Sequence, residues 1–132
     1  MITRVDVYNY IYNALITAYP TMYIAGAYEP VPETFPAVFI REIGDFRNKE
    51  NMTFSGVQGV RTSTLEIQIV SGRLNGSLTQ AYTILDNVRT ACFKLFYNET
   101  NVTVVEDGTS GMNYRIRASY RRIIGASDTM PT

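Results

Sequence analysis

Histidine and tryptophan are absent from this chain, and it has one cysteine. Without histidine it lacks the commonest general base and the commonest transition-metal ligand. The lone Cys92 excludes an intrachain disulfide and a cysteine-cluster metal site. An excess of one charge is missing too. Twelve Lys and Arg face twelve Asp and Glu, so no global field draws the chain to nucleic acid or to a membrane surface. No apolar run approaches the roughly 18 residues that span a bilayer. The opening stretch is broken by Arg4, Asp6, Asn9 and Asn13, unlike the apolar segment of a signal peptide. The expectation is a soluble intracellular protein, or one assembled inside the cell.

What is present is enough for a core. With 45% hydrophobic and 18% charged residues over 132 positions, one ordered domain spanning 1–132 is expected. The candidates for catalysis are weak. The glycine pairs 72/76 and 108/111 lack the spacing and the Lys-Ser/Thr of a phosphate loop. The close acidic pairs, Glu42 with Asp45 and Glu106 with Asp107, are sequence neighbours rather than carboxylates set across a cleft. Cys92 falls on an apolar helix stripe, where a thiol packs inertly. No enzyme activity, cofactor, metal or small-molecule substrate is expected.

Periodicity sets the elements. Thr3 and Asp6 have the spacing of a helix capping box. Val5, Tyr8, Ile11, Tyr12, Leu15 and Tyr19 then recur every three or four residues as one apolar stripe, which Pro20 ends. Strands are predicted at 22–28 and 37–43, separated by a connector with Pro30, Pro32 and Pro36. Residues 44–59 form a polar loop, unusually long for a compact domain and expected to order only against a partner. Between 60 and 71, Leu65, Ile67 and Ile69 alternate with Thr62, Thr64, Glu66 and Gln68, the pattern of a half-buried strand. Ser77 and Gln80 predict a second capping box. It opens a helix whose stripe is Leu78, Ala81, Tyr82, Leu85, Val88, Cys92, Leu95 and Phe96. Strands at 101–106 and 112–124 close the chain, and the polar tail 125–132 is expected to be mobile. The order α-β-β-β-α-β-β predicts an α+β fold: an antiparallel sheet of four to five strands with both helices on one face.

Two surface features stand out. Arg115, Arg117 and Arg121 share one face of the last strand, with neighbours at i and i+2 about 6–7 Å apart. They read either as a solvated sheet face or as a positive stripe for acidic partners or DNA phosphates. Tyrosine is abundant, at ten residues. Tyr8, Tyr12, Tyr82, Tyr114 and Tyr120 fit core stripes, whereas Tyr10, Tyr23, Tyr28 and Tyr97 do not and are interface candidates.

The whole arrangement resembles a known family. An amphipathic helix and a Pro-rich stretch lead into Phe35-Pro36-Ala37-Val38-Phe39-Ile40-Arg41-Glu42. A polar loop then precedes Leu65-Glu66-Ile67-Gln68-Ile69-Val70-Ser71. A helix containing Ala81-Tyr82-Thr83-Ile84-Leu85-Asp86 and a closing hairpin with Tyr114-Arg115-Ile116-Arg117 follow. Over roughly residues 3–124 this is similar to the tail terminator (tail completion, or head–tail joining) proteins of long-tailed bacteriophages. The resemblance implies a structural virion protein with no active site. It would form a hexameric ring that caps the tail tube and meets the neck and head-completion proteins, with DNA passing through the lumen without sequence-specific binding. It also implies that the 44–59 loop lies at the ring's contacts. The candidate assembly residues are therefore Asp45, Arg47, Lys49, Glu50 and Phe54 in the loop, with Arg115, Arg117 and Arg121 on the strand. Two alternatives stay open: another neck or head-closure connector, and a small cellular α+β module that binds a ligand.

Overall fold

The computed structural model describes residues 1–29, 32–47, 60–74, 76–107 and 112–131. Its elements are α1 (Arg4–Ala18), β1 (Tyr23–Ala25), β2 (Ala37–Arg47), β3 (Val60–Ser71), α2 (Leu78–Lys94), β4 (Asn98–Asp107) and β5 (Tyr114–Gly125). The strands form one five-stranded sheet in the order β1-β2-β3-β5-β4. The α+β class and the element order are as expected. The sheet is mixed rather than wholly antiparallel, because Tyr23–Ala25 runs parallel to Ala37–Phe39. A parallel neighbour requires a crossover connection, and residues 26–36 supply it.

Alternation assigns the two faces of the sheet. Val38 and Ile40, Leu65, Ile67 and Ile69, and Ile116, Ala118, Tyr120 and Ile124 all point to one side. There they share a single core with Val7, Ile11 and Leu15 of α1 and with Ala81, Ile84, Leu85, Val88, Ala91 and Cys92 of α2. Both helices therefore lie on this inner face. On the outer face Ala37, Phe39 and Val70 form a smaller apolar cluster, covered by Tyr23, Ala25 and Phe35.

The caps form largely as read. Thr3 Oγ1 accepts from the Asp6 N–H, and Asp6 accepts from the Thr3 N–H at 2.9 Å, which completes the box. Ser77 Oγ accepts from the Gln80 N–H, but the Gln80 side chain bonds Ser71 instead of reaching back. Ser71 Oγ takes the Ser77 N–H in its place. The second box is thus shared with the end of β3.

The helix stripes are shifted from the sequence reading. In α1 the buried residues are Val7, Ile11 and Leu15, while Val5 is 64% exposed and Tyr8 and Tyr12 are half-buried and stacked on each other at 6.1 Å. The single stripe read from the sequence is two: one faces the core and the other flanks it. In α2, Ile84 is buried, and Tyr82 and Phe96 are exposed. Tyr97, expected at an interface, is a core residue at 4% exposure.

The first residues of the expected loop are strand. β2 continues through Arg47, with Gly44–Arg47 paired to Arg61–Thr64 after a bulge near Ile43, so the expected loop begins later than residue 44. The rest of it, including Lys49, Glu50 and Phe54, lies outside the described residues. The described part of the tail, 125–131, makes defined contacts. Asp128 accepts from the Gly125 N–H at 2.7 Å and from Arg122 at 3.1 Å, and Met130 packs on the core.

The end of α2 has an unusual residue. Tyr97 N–H bonds the Cys92 carbonyl at 3.0 Å and Phe96 N–H bonds the Phe93 carbonyl at 2.9 Å. These are the two bonds of a Schellman cap, whose left-handed position is ordinarily glycine. Here it is Phe96, at φ 62°. A left-handed conformation costs an L-residue roughly 1–2 kcal/mol, partly offset by the Arg122 guanidinium 5.6 Å from the ring centre. Phe96→Gly is expected to raise stability by about 1 kcal/mol, seen as a higher urea midpoint at unchanged m value.

Candidate assembly surface

The connector after β1 divides the outer face of the sheet. Tyr28 lies edge-on to Phe39 of β2 at 6.2 Å and under the Arg115 guanidinium of β5 at 4.8 Å. Arg115 also donates to Gln68 at 2.9 Å and to the Glu29 carbonyl at 3.5 Å, with its Nε 3.8 Å from Glu106. Residues 28–29 thus cross from β2 to β5 and cover that half. Arg115 is only 2% exposed, so it does not belong to a solvent-facing stripe. The alternation placed it on the correct face, but periodicity carries no information on what covers a face.

Beyond the connector no described residue crosses the same face. Arg117 and Arg121 are exposed on β5, four residues and about 13 Å apart along the strand. Neither makes an ion pair among the described residues. Arg41 of β2, two strands away, is 3.6 Å from Glu66 of β3, which also accepts from Gln68 at 3.0 Å. Between and beside them stand Thr64, Ser119, Asn101 and Thr103. Three arginines thus surround one carboxylate among small polar side chains. Ile123, 61% exposed, continues the face beyond Arg121, and the face has a local positive field, which salt screens over about 8–10 Å. Asp45 and Arg47 take register positions opposite Ser63 and Arg61, at the far end of the β2–β3 ladder. They are separate from the basic row.

A second feature, which the sequence reading missed, lies on the inner side at the β1–β2 edge. A cleft of about 280 Å³ opens between the first turns of α1 and the sheet, lined by Arg4, Val5, Tyr8, Gly26, Ile40, Arg41, Glu42 and Leu65. At its floor Glu42, with a side chain 1% exposed, is held by Arg61 at 2.7 Å and by Arg4 at 2.9 Å. Ser63 also donates to Glu42 and shares a 2.6 Å hydrogen bond with Tyr97. The Tyr97 hydroxyl is pushed up to about 12 by burial. No local pattern marks this network, because Glu42, Arg61, Ser63 and Tyr97 meet only through strand pairing and the α2–β4 turn.

At the opposite edge, β4 is an exposed ten-residue strand broken by two bulges, which disfavour edge-to-edge pairing. Beside it Arg89 grips both oxygens of Glu99, at 2.8 and 3.2 Å, and holds that carboxyl below its usual range. Phe93 and Phe96 stand at the adjoining end of α2, 78% and 74% exposed. Cys92 is buried, and burial pushes its thiol to about 12, so it acts as a packing residue. Among the described residues no three acidic or cysteine side chains gather as a metal site, and no helix is long and apolar enough to cross a membrane. No protein-family model matches the chain, and no curated protein matches its sequence.

Proposed function

We propose that this chain is a structural virion protein that forms a ring, a hexamer, on the end of a phage tail tube. There it stops tube growth, meets the neck and head-completion proteins and lets DNA pass through its lumen. The sequence resemblance suggests the role, and one structural observation supports it most. Half of the outer sheet face is mostly polar and cationic, with Arg117 and Arg121 free of ion pairs among the described residues. Small Thr, Ser and Asn side chains allow close approach of another surface, and the arginines select one bearing carboxylates or phosphates. In a neutral chain this local field alone can orient the docking.

The test reverses the field. Arg117→Glu with Arg121→Glu changes two exposed residues, so the thermal midpoint should correspond to a stability change below about 0.5 kcal/mol. Capping should be lost through like-charge repulsion. In complementation of a terminator-defective phage, the wild-type chain should restore tails of uniform length, and the double variant should leave them overlong under the electron microscope. Uniform tails from a well-folded double variant would remove the basic face from the contact. Failure of the wild-type chain itself to restore tail length would reject the role.

A further inference from the structure

The cleft beside α1 and the exposed phenylalanines at the end of α2 lie at opposite edges of the sheet. The cleft is built from α1, Gly26, β2 and β3. Phe93 shares its surroundings with Asn98 and Glu99 of β4 and Tyr120 of β5. In the order β1-β2-β3-β5-β4, β2 and β4 are three strand spacings apart, about 14 Å. We propose that copies of this chain associate head to tail, with the Phe93–Phe96 ledge of one copy seated in the α1–β2 cleft of the next. The proposal rests on the ring reading and names the contact that would build the ring.

Three observations favour a second copy as the occupant. The first is size: cavities of about 150 Å³ accept a benzene ring, so a cleft of about 280 Å³ has room for one phenylalanine ring. The second is chemistry. Val5, Tyr8, Ile40 and Leu65 offer apolar walls. Arg4 and Arg41, with side chains 63% and 53% exposed, stand at the rim, where a guanidinium can lie over an aromatic face. Val5, 64% exposed, and Tyr8, half-buried at the core's margin, belong to the flanking stripe of α1.

The third is the backbone at Phe96. A left-handed position that glycine would fill without strain holds a large, exposed aromatic side chain instead. Strain retained at an exposed residue points to a role for its side chain outside the fold. The ledge and the cleft are also different surfaces on opposite edges. Their contact is therefore heterologous and repeats from copy to copy, the geometry that closes into rings.

The experiment uses one variant on each side. Phe93→Ser with Phe96→Gly removes the ledge and relieves the backbone. Gly26→Leu fills the cleft; a Cβ there meets only the Ile40 carbonyl at 3.7 Å and Tyr8 Cε2 at 3.8 Å, ordinary contacts. Val5→Glu is a second cleft variant, at an exposed first-turn position that tolerates an acid. Sedimentation velocity and native mass spectrometry on the purified full chain should show wild type assembling beyond a dimer. Each variant alone should lose at least tenfold in association, with an undiminished thermal midpoint for the ledge variant. An equimolar mixture of ledge and cleft variants retains one intact ledge and one intact cleft, so it should stop at a 1:1 heterodimer.

Three results would overturn the contact: a monomeric wild-type chain at its highest soluble concentration, variants that assemble like wild type, or a mixture without heterodimer. The tail-capping reading is scored separately. Uniform tails from a chain whose assembly ignores ledge and cleft would sink this contact and spare that reading, and the opposite pair of results would do the reverse.

Discussion

Glu42→Ala is expected to lower stability by about 3–5 kcal/mol, the usual effect of removing one partner from a buried ion pair. Arg61 is 4% exposed, with its NH1 2.7 Å from Glu42 and its NH2 2.9 Å from the Ile2 carbonyl. Without the carboxylate, the guanidinium keeps its charge in a low-dielectric site that water reaches poorly. Ser63 loses an acceptor at the same time, and Arg4 loses its ion pair with Glu42. The double variant Glu42→Leu with Arg61→Met replaces both charges by apolar groups and should recover most of the loss. Urea denaturation of Glu42→Leu, Arg61→Met and the double variant gives the coupling energy directly. If the double variant is less stable than either single one, the network acts by packing alone and the argument from the buried charge fails.

Leu85→Ala is expected to cost about 2–5 kcal/mol, with Leu65→Ala in the same range. Both side chains are buried, at 0% and 2% exposure. They sit where α2 packs on β3 and β5, so truncation leaves a cavity that neither a helix nor a paired strand can collapse around. Val5→Ala makes the control. The sequence puts Val5 on the same apolar stripe as Leu15, but its exposure predicts a change within about 0.5 kcal/mol. Val7→Ala should cost clearly more than Val5→Ala. The reverse order would restore the stripe as the sequence reads and undo the α1 packing described above.

The two phases of α1 show the limit of apolar periodicity. Val5, Tyr8, Ile11, Tyr12 and Leu15 do recur at helical spacing, yet tyrosine suits either a core margin or a wet surface. Apolar period alone therefore could not separate a helix's core-facing side from its flank. Among the candidate assembly residues, Arg117 and Arg121 are where alternation put them, exposed on the outer face. Arg115 shares that face but lies beneath Tyr28, a residue 87 positions earlier in the chain. The cleft escaped the reading altogether, because Val5, Gly26, Glu42 and Leu65 come from four separate segments.

Sequence by itself determined what depends on neighbours along the chain. The capping box of Thr3 and Asp6, the alternation of Leu65, Ile67 and Ile69, the helix from Leu78 and the element order are properties of period and local hydrogen bonding, and these define an α+β sandwich. Tertiary structure alone decided the parallel pairing of β1 and the crossover it demands. It also decided the burial of Arg115 beneath that crossover, the Glu42–Arg61 network, and the separation of ledge and cleft to opposite edges. Each of these depends on contacts between residues far apart in sequence. Their free energy comes from desolvation and packing, and no local pattern of residue types encodes either one.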